Sequence, residues 1–153
     1  LKFEYALTGT GWADGCIEMN SNTVYFTASY INDALGDMLK AIISLIPEIS
    51  SYSVPQAQFE WNEEPGGTVW TISRREDLLH VEILSYVDLR NRKQRVIDLD
   101  ETCLIIEFAG AVVQALDSLL RQYGREGYKE KWVNYDFPMD NFLKLKGFVK
   151  ARH

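Results

Sequence analysis

The sequence predicts an α+β fold: an antiparallel sheet of about six to seven strands, with two main amphipathic helices on one face and short C-terminal helices. Three observations carry this expectation. Apolar residues alternate with polar ones in two blocks, near residues 2–30 and 59–99. Two stripes of helical spacing follow those blocks, near 33–46 and 103–123. The resulting order of strands, helix, strands, helices lacks the regular alternation of a parallel βαβ sheet. At 153 residues, with 46% hydrophobic content and only 4 prolines, the chain fits one domain, 1–153, large enough to fold around a single core.

In the first block, Phe3, Tyr5 and Leu7, then Ile17 and Met19, then Val24, Phe26, Ala28 and Tyr30 recur at every second position, the period of a half-buried strand. Three short antiparallel strands are expected, broken at "GTGWADG" and "NSN", where Gly and Asn supply turn conformations. From Asn32 the period lengthens. Leu35, Met38, Leu39, Ile42, Ile43 and Ile46 share one helical face, with Asn32 as the expected cap and Pro47 as the stop. Asp33 and Asp37 sit near the helix start, where the macrodipole favours negative charge.

The stretch "FEWNEEPGGTVW" reads as a hairpin. Pairing Trp61 with Trp70 sets Phe59 opposite Ile72 and gathers the large apolar residues on one face. Pro65 and Gly66 then match the centre of a type II turn, which leaves Glu63 and Glu64 at an open tip. Val81 is expected to face Ile72, and Ile83 to face Trp70, across the turn at 75–78. After the basic loop "RNRK", a strand runs from about Arg95 to Leu99. The stripe Leu104, Phe108, Ala111, Val112, Ala115, Leu119 and Tyr123 forms a long helix ending at Gly124. A short helix with Tyr128 and Trp132, and one after Pro138 with Phe142, Leu145 and Val149, complete the chain.

Composition narrows the function classes. Cys16 and Cys103 are too few for a disulfide framework and too far apart for a C-x-x-C pair. No apolar run reaches membrane-spanning length, and "LKFEYALTGT" lacks the apolar middle of a signal peptide. A cytoplasmic protein without membrane association is therefore expected. The net charge of -6 is uneven: residues 1–70 hold nine Asp/Glu against Lys2 and Lys40, a net of -7. Such a surface repels phosphate backbones and attracts basic proteins, so nucleic acid is not expected as a partner.

The catalytic motifs are incomplete. "GTGWADG" places Asp14 where a dinucleotide fingerprint needs its third glycine, and a strand rather than a helix follows. His80-Val81-Glu82 has the H-x-E spacing of zinc deaminases without the downstream P-C-x-x-C. Glu63 and Glu64 are adjacent on a turn and diverge to opposite faces, whereas an acid–base pair must converge on one substrate atom in a dry pocket. Cys16 carries no activated-nucleophile signature, and Cys103 is expected to pack at a helix start. No Walker loop, metal cluster or haem motif is present, so no cofactor is expected.

What remains is the sheet face out of phase with the core, expected to display Glu4, Glu18, Tyr25, Thr27, Glu60, Thr71, His80, Glu82, Leu84 and Tyr86. Among them Glu4, Glu18, Tyr25, Glu60, His80, Glu82 and Tyr86 are the candidate partner-binding residues. Tyrosine offers contact area at small entropic cost, and carboxylates steer a basic partner. An ordinary solvated face would have the same composition.

The segment "YGREGYKEKWVNYDFPMDNFLKLK", residues 123–146, together with "NEEPGG", resembles small, largely uncharacterised bacterial proteins, some of which are similar to immunity proteins of polymorphic toxin systems. The spacing of Tyr123, Tyr128, Trp132, Phe137 and Pro138 carries most of that resemblance. The resemblance implies an immunity-type protein and assigns no toxin target or functional residue. With the charge skew of -7 and the lack of a catalytic constellation, the expectation is a non-enzymatic inhibitor whose acidic sheet face covers a basic protein partner, such as the active site or nucleic-acid groove of a cognate toxin. Two alternatives stay open: a small-ligand or hydrolase-like domain with a pocket between sheet and helices around His80, Glu82 or Tyr86, and a homodimer built through the same face.

Overall fold

The computed structural model describes residues 1–152. Its element order is β1 (Lys2–Gly9), β2 (Trp12–Met19), β3 (Asn22–Ser29), α1 (Ala34–Ser44), β4 (Gln56–Asn62), β5 (Gly67–Arg75), β6 (Leu78–Tyr86), β7 (Arg95–Leu104), α2 (Ile105–Trp132) and α3 (Met139–Ala151). The α+β class and the antiparallel pairing are as expected. The single sheet is not: β1-β2-β3 form one sheet and β4-β5-β6-β7 a second. No helix among the described residues is long and apolar enough to cross a membrane.

The division follows from what the strands bury. Phe3, Tyr5 and Phe26 project from the inward face of the three-stranded sheet, and Phe59, Trp61 and Trp70 from that of the four-stranded sheet; all are buried. Their rings interlock, with centroids 4.8 Å apart for Phe26 and Trp61, 5.1 Å for Trp61 and Trp70, and 5.5 Å for Phe26 and Trp70. These separations and tilts suit aromatic quadrupoles, so the inward faces meet instead of lying side by side. Each buried indole N–H also finds an acceptor: Trp61 donates to the Ala34 carbonyl at 2.9 Å, Trp70 to Thr68 Oγ1 at 3.0 Å and Trp132 to the Asn32 carbonyl at 3.4 Å. Gly15 makes room for the cluster, because a Cβ there would stand 2.6 Å from the Phe26 ring and 2.1 Å from the Glu4 carbonyl oxygen.

Several expected details shift. Phe59 lies opposite Trp70 and Trp61 opposite Thr68, two residues from the expected register; a slip of two keeps every side chain on its face, so periodicity cannot detect it. Ile72 faces Val81 and Trp70 faces Ile83, as expected. At the β4–β5 tip the positive φ falls on Glu64 and not on Gly66, so the turn is not type II. Gly66 is instead buried, since a Cβ would meet the Tyr86 carbonyl oxygen at 2.5 Å. Asp33, not Asn32, caps α1 by accepting from the Gly36 N–H at 3.2 Å, and α1 ends at Ser44, before Pro47.

The helices close the remaining sides of the core. Leu35, Met38, Leu39 and Ile42 of α1 are fully buried, as are Phe108, Val112 and Leu116 of α2. β7 runs on to Leu104, so α2 starts later than the stripe suggested, and it breaks at Gly124, whose backbone is non-helical. Tyr128 and Trp132 stack at 6.3 Å, Phe137 meets Tyr128 edge-on at 5.4 Å, and Phe142 continues the chain of rings at 5.5 Å. The C-terminal aromatics that carry the resemblance therefore pack the interior.

Adjacent residues of β3 test this arrangement, since Phe26 is 3% exposed and Tyr25 80%. Phe26→Ala is expected to cost about 3–5 kcal/mol, and Tyr25→Ala to stay within about 0.5 kcal/mol of the parent, by urea unfolding. Similar losses for the two would show that the inward face has been misassigned.

Candidate functional site

Because the two inward faces meet, the outward faces belong to different surfaces, and the seven candidate residues divide between them. Glu4, Glu18 and Tyr25 lie on the three-stranded sheet, and Glu60, His80, Glu82 and Tyr86 on the four-stranded one. The expected continuous acidic face is corrected accordingly. Alternation along each strand correctly placed all seven outward; what failed was the assumption that β3 and β4 share a sheet.

On the three-stranded sheet, cross-strand pairing builds rows of Lys2, Glu18 and Thr23, then Glu4, Cys16 and Tyr25, then Ala6, Asp14 and Thr27. Three carboxylates thus surround an exposed tyrosine, with Lys2 the cation in these rows. Lys2 reaches Glu4 at 3.1 Å, and Cys16 Sγ donates to the other Glu4 oxygen at 3.5 Å. The Lys2 hydrogen bond, followed by that from Cys16, holds the Glu4 carboxyl below its ordinary value. Thr27 donates to Asp14 at 2.9 Å and Thr23 to Glu18 at 3.4 Å. Asp14 escaped the sequence reading because "GTGWADG" reads as a turn, whereas β2 already begins at Trp12.

On the four-stranded sheet much of the charge is matched internally. Arg92, from the basic loop, donates to Glu60 at 2.5 Å and lies over the Tyr86 ring at 5.5 Å. That loop is anchored by Leu89 N–H to the Pro65 carbonyl at 3.0 Å. His80 bonds to Asp100, and Glu82 stands directly opposite Asp100. Like charges in that relation are destabilising, so the Glu82–Asp100 pair is the part of this face that a cation would relieve. Asp100 was missed because the strand was expected to end at Leu99. His80, Glu82 and Tyr86 project away from the core, so the expected pocket between sheet and helices around them is corrected. An open groove of about 560 Å³ lies elsewhere, between α1 and β4, lined by Asn32, Asp37, Lys40, Gln58, Glu60 and Asn62 among others.

Glu63 ties the two sheets together. Its carboxylate accepts the Thr27 backbone N–H at 2.9 Å, satisfying a donor of β3 and tying the β4–β5 tip to the other sheet. The tip expected to stand open is fastened at this point. Glu64 remains exposed.

Comparison with known proteins finds no match for this chain among family models, curated proteins or solved structures.

Two titratable groups yield tests of this chemistry. Burial, then Glu107, pushes the Cys103 thiol up to about 12. At pH 8, Cys103 should therefore alkylate roughly 10³-fold more slowly in the folded protein than in urea, because the thiolate is the reactive form; comparable rates would show that burial does not suppress its thiolate. Burial raises the Asp33 carboxyl, opposed by the Gly36 N–H and reinforced by Asp37. A raised folded value means that the fold favours the protonated acid, a contribution present at low pH and lost as pH climbs through the folded value. Asp33→Asn keeps the cap and removes the charge. Its urea midpoint should gain more over the parent at pH 7 than at pH 3, and a larger gain at pH 3 would refute the assignment.

Proposed function

We propose that this chain is a non-catalytic protein-binding protein of the immunity type, neutralising a bacterial toxin by covering a basic surface with the outward face of β1-β2-β3. One observation carries this reading: Tyr25 stands exposed among Glu4, Asp14 and Glu18. A bare tyrosine is a ready anchor for an interface, and carboxylates around it raise encounter rates with a cation-rich partner while rejecting acidic ones. The uneven charge of the first 70 residues supports the same reading. Glu60 and Tyr86, engaged by Arg92, are no longer part of the proposed contact.

The test is protection in cells. Co-expressed with the toxin encoded beside its gene, the protein should restore growth, and a Tyr25→Ala, Glu18→Lys variant should bind that toxin at least about tenfold more weakly. Absence of a neighbouring toxin gene, or full protection by the variant, would overturn the proposal.

A further inference from the structure

β7 is the outer strand of the four-stranded sheet, and its partner on one side is β6. Edge strands invite pairing, and proteins usually blunt them with charge or a bulge. The charges here are sorted by sign along the chain. Arg92, Lys93 and Arg95 come first, Val96 and Ile97 follow, and Asp98, Asp100 and Glu101 come last. A merely protective edge gains nothing from that order. A strand that meets its own copy gains a great deal, because twofold symmetry makes such pairing antiparallel and sets the beginning of each strand against the end of the other.

We infer that β7 is a self-recognition edge, through which a second copy of this chain adds its own β7 to give a continuous eight-stranded sheet. With Val96 opposite the second copy's Ile97, the same register sets Arg95 against Asp98, and it brings Lys93, in the turn just before β7, toward Asp100, each contact occurring twice. The two apolar residues at the centre are 62% and 61% exposed, more than neighbouring β7 residues such as Asp98 and Leu99, and pairing would cover them.

The limits of the contact are visible as well. Asn20 donates to Glu101 at 2.9 Å and to the Thr102 carbonyl at 3.3 Å, and Asn22 also bonds to Glu101, so the β2–β3 turn closes the edge beyond Asp100. Ile83 faces Leu99 while Leu84 faces Ile97, which leaves Asp98 as an extra residue in a bulge. A bulge twists the strand locally. Both features confine pairing to a short central segment, so the dimer is weak and dependent on concentration and salt. This inference does not rest on the proposed function, since it uses a different sheet.

Sedimentation from micromolar to millimolar concentration tests it. The parent should show a growing fraction at twice the monomer mass, diminished by salt. Arg95→Asp alone sets acid against acid, and Asp98→Arg alone sets base against base, so each should self-associate at least about tenfold more weakly. An equimolar mixture of the two restores both complementary contacts and should dimerise again. Far-UV circular dichroism checks that both variants fold; if either does not, Lys93→Asp with Asp100→Lys repeats the exchange. A parent that stays monomeric, dimers undiminished in the single variants, or a mixture that fails to re-associate would each overturn the inference, undiminished dimers pointing to another face.

Discussion

The molecule depends on the burial of Trp61 between two sheets. Its ring touches aromatic residues from both, Phe3, Tyr5 and Phe26 on one side and Phe59 and Trp70 on the other. Its indole N–H is held by the first residue of α1. One side chain therefore couples sheet, sheet and helix, and the dispersion and quadrupole energy of the cluster is available only when all three are in place. Interiors pack as densely as organic crystals, so the cluster sets the separation and relative orientation of the sheets.

Joining the sheets by their inward faces leaves polar backbone groups on β3 and β4, which end different sheets and do not pair with each other. Side chains supply part of what β3 and β4 do not. The Glu63 carboxylate receives the Thr27 N–H, Asn32 donates to the Glu60 carbonyl at 2.8 Å, and Asn20 and Asn22 hold Glu101. Charged or amide groups from turns therefore act as clamps between sheets. Several acids of the chain's first 70 residues are structural for this reason: Glu63 as a clamp, Asp33 as a helix cap and Glu60 as the partner of Arg92. Asp14 and Glu18, by contrast, are bonded only within their own sheet, by Thr27 and Thr23, and stay exposed beside Tyr25.

Much of the local structure was legible from residue patterns. Period-two alternation identified β1 to β6 and the start of β7, and sorted each candidate residue to the outward side. Helical spacing located α1 and α2, and Gly124 marked the break in the latter. Boundaries moved where a competing signal was stronger: β7 continued through Cys103 to Leu104 although the apolar stripe already suited a helix, and Asp33 outcompeted Asn32 for the cap because its carboxylate reaches the Gly36 N–H. The β4–β5 register was off by an even number of residues, the one error that alternation cannot report.

The sequence by itself determined which residues are helical, which are extended and which side of each strand is apolar, because those properties depend on neighbours one to four positions away. Only the tertiary structure decided that β3 packs face to face with the second sheet instead of extending it, since α1 and its loops separate β3 from β4 and remove any constraint of register between them. That decision, made by the volume and geometry of six aromatic rings, parts Tyr25 and Glu18 from His80 and Glu82. It also leaves β7, with its basic beginning and acidic end, at the rim of the molecule.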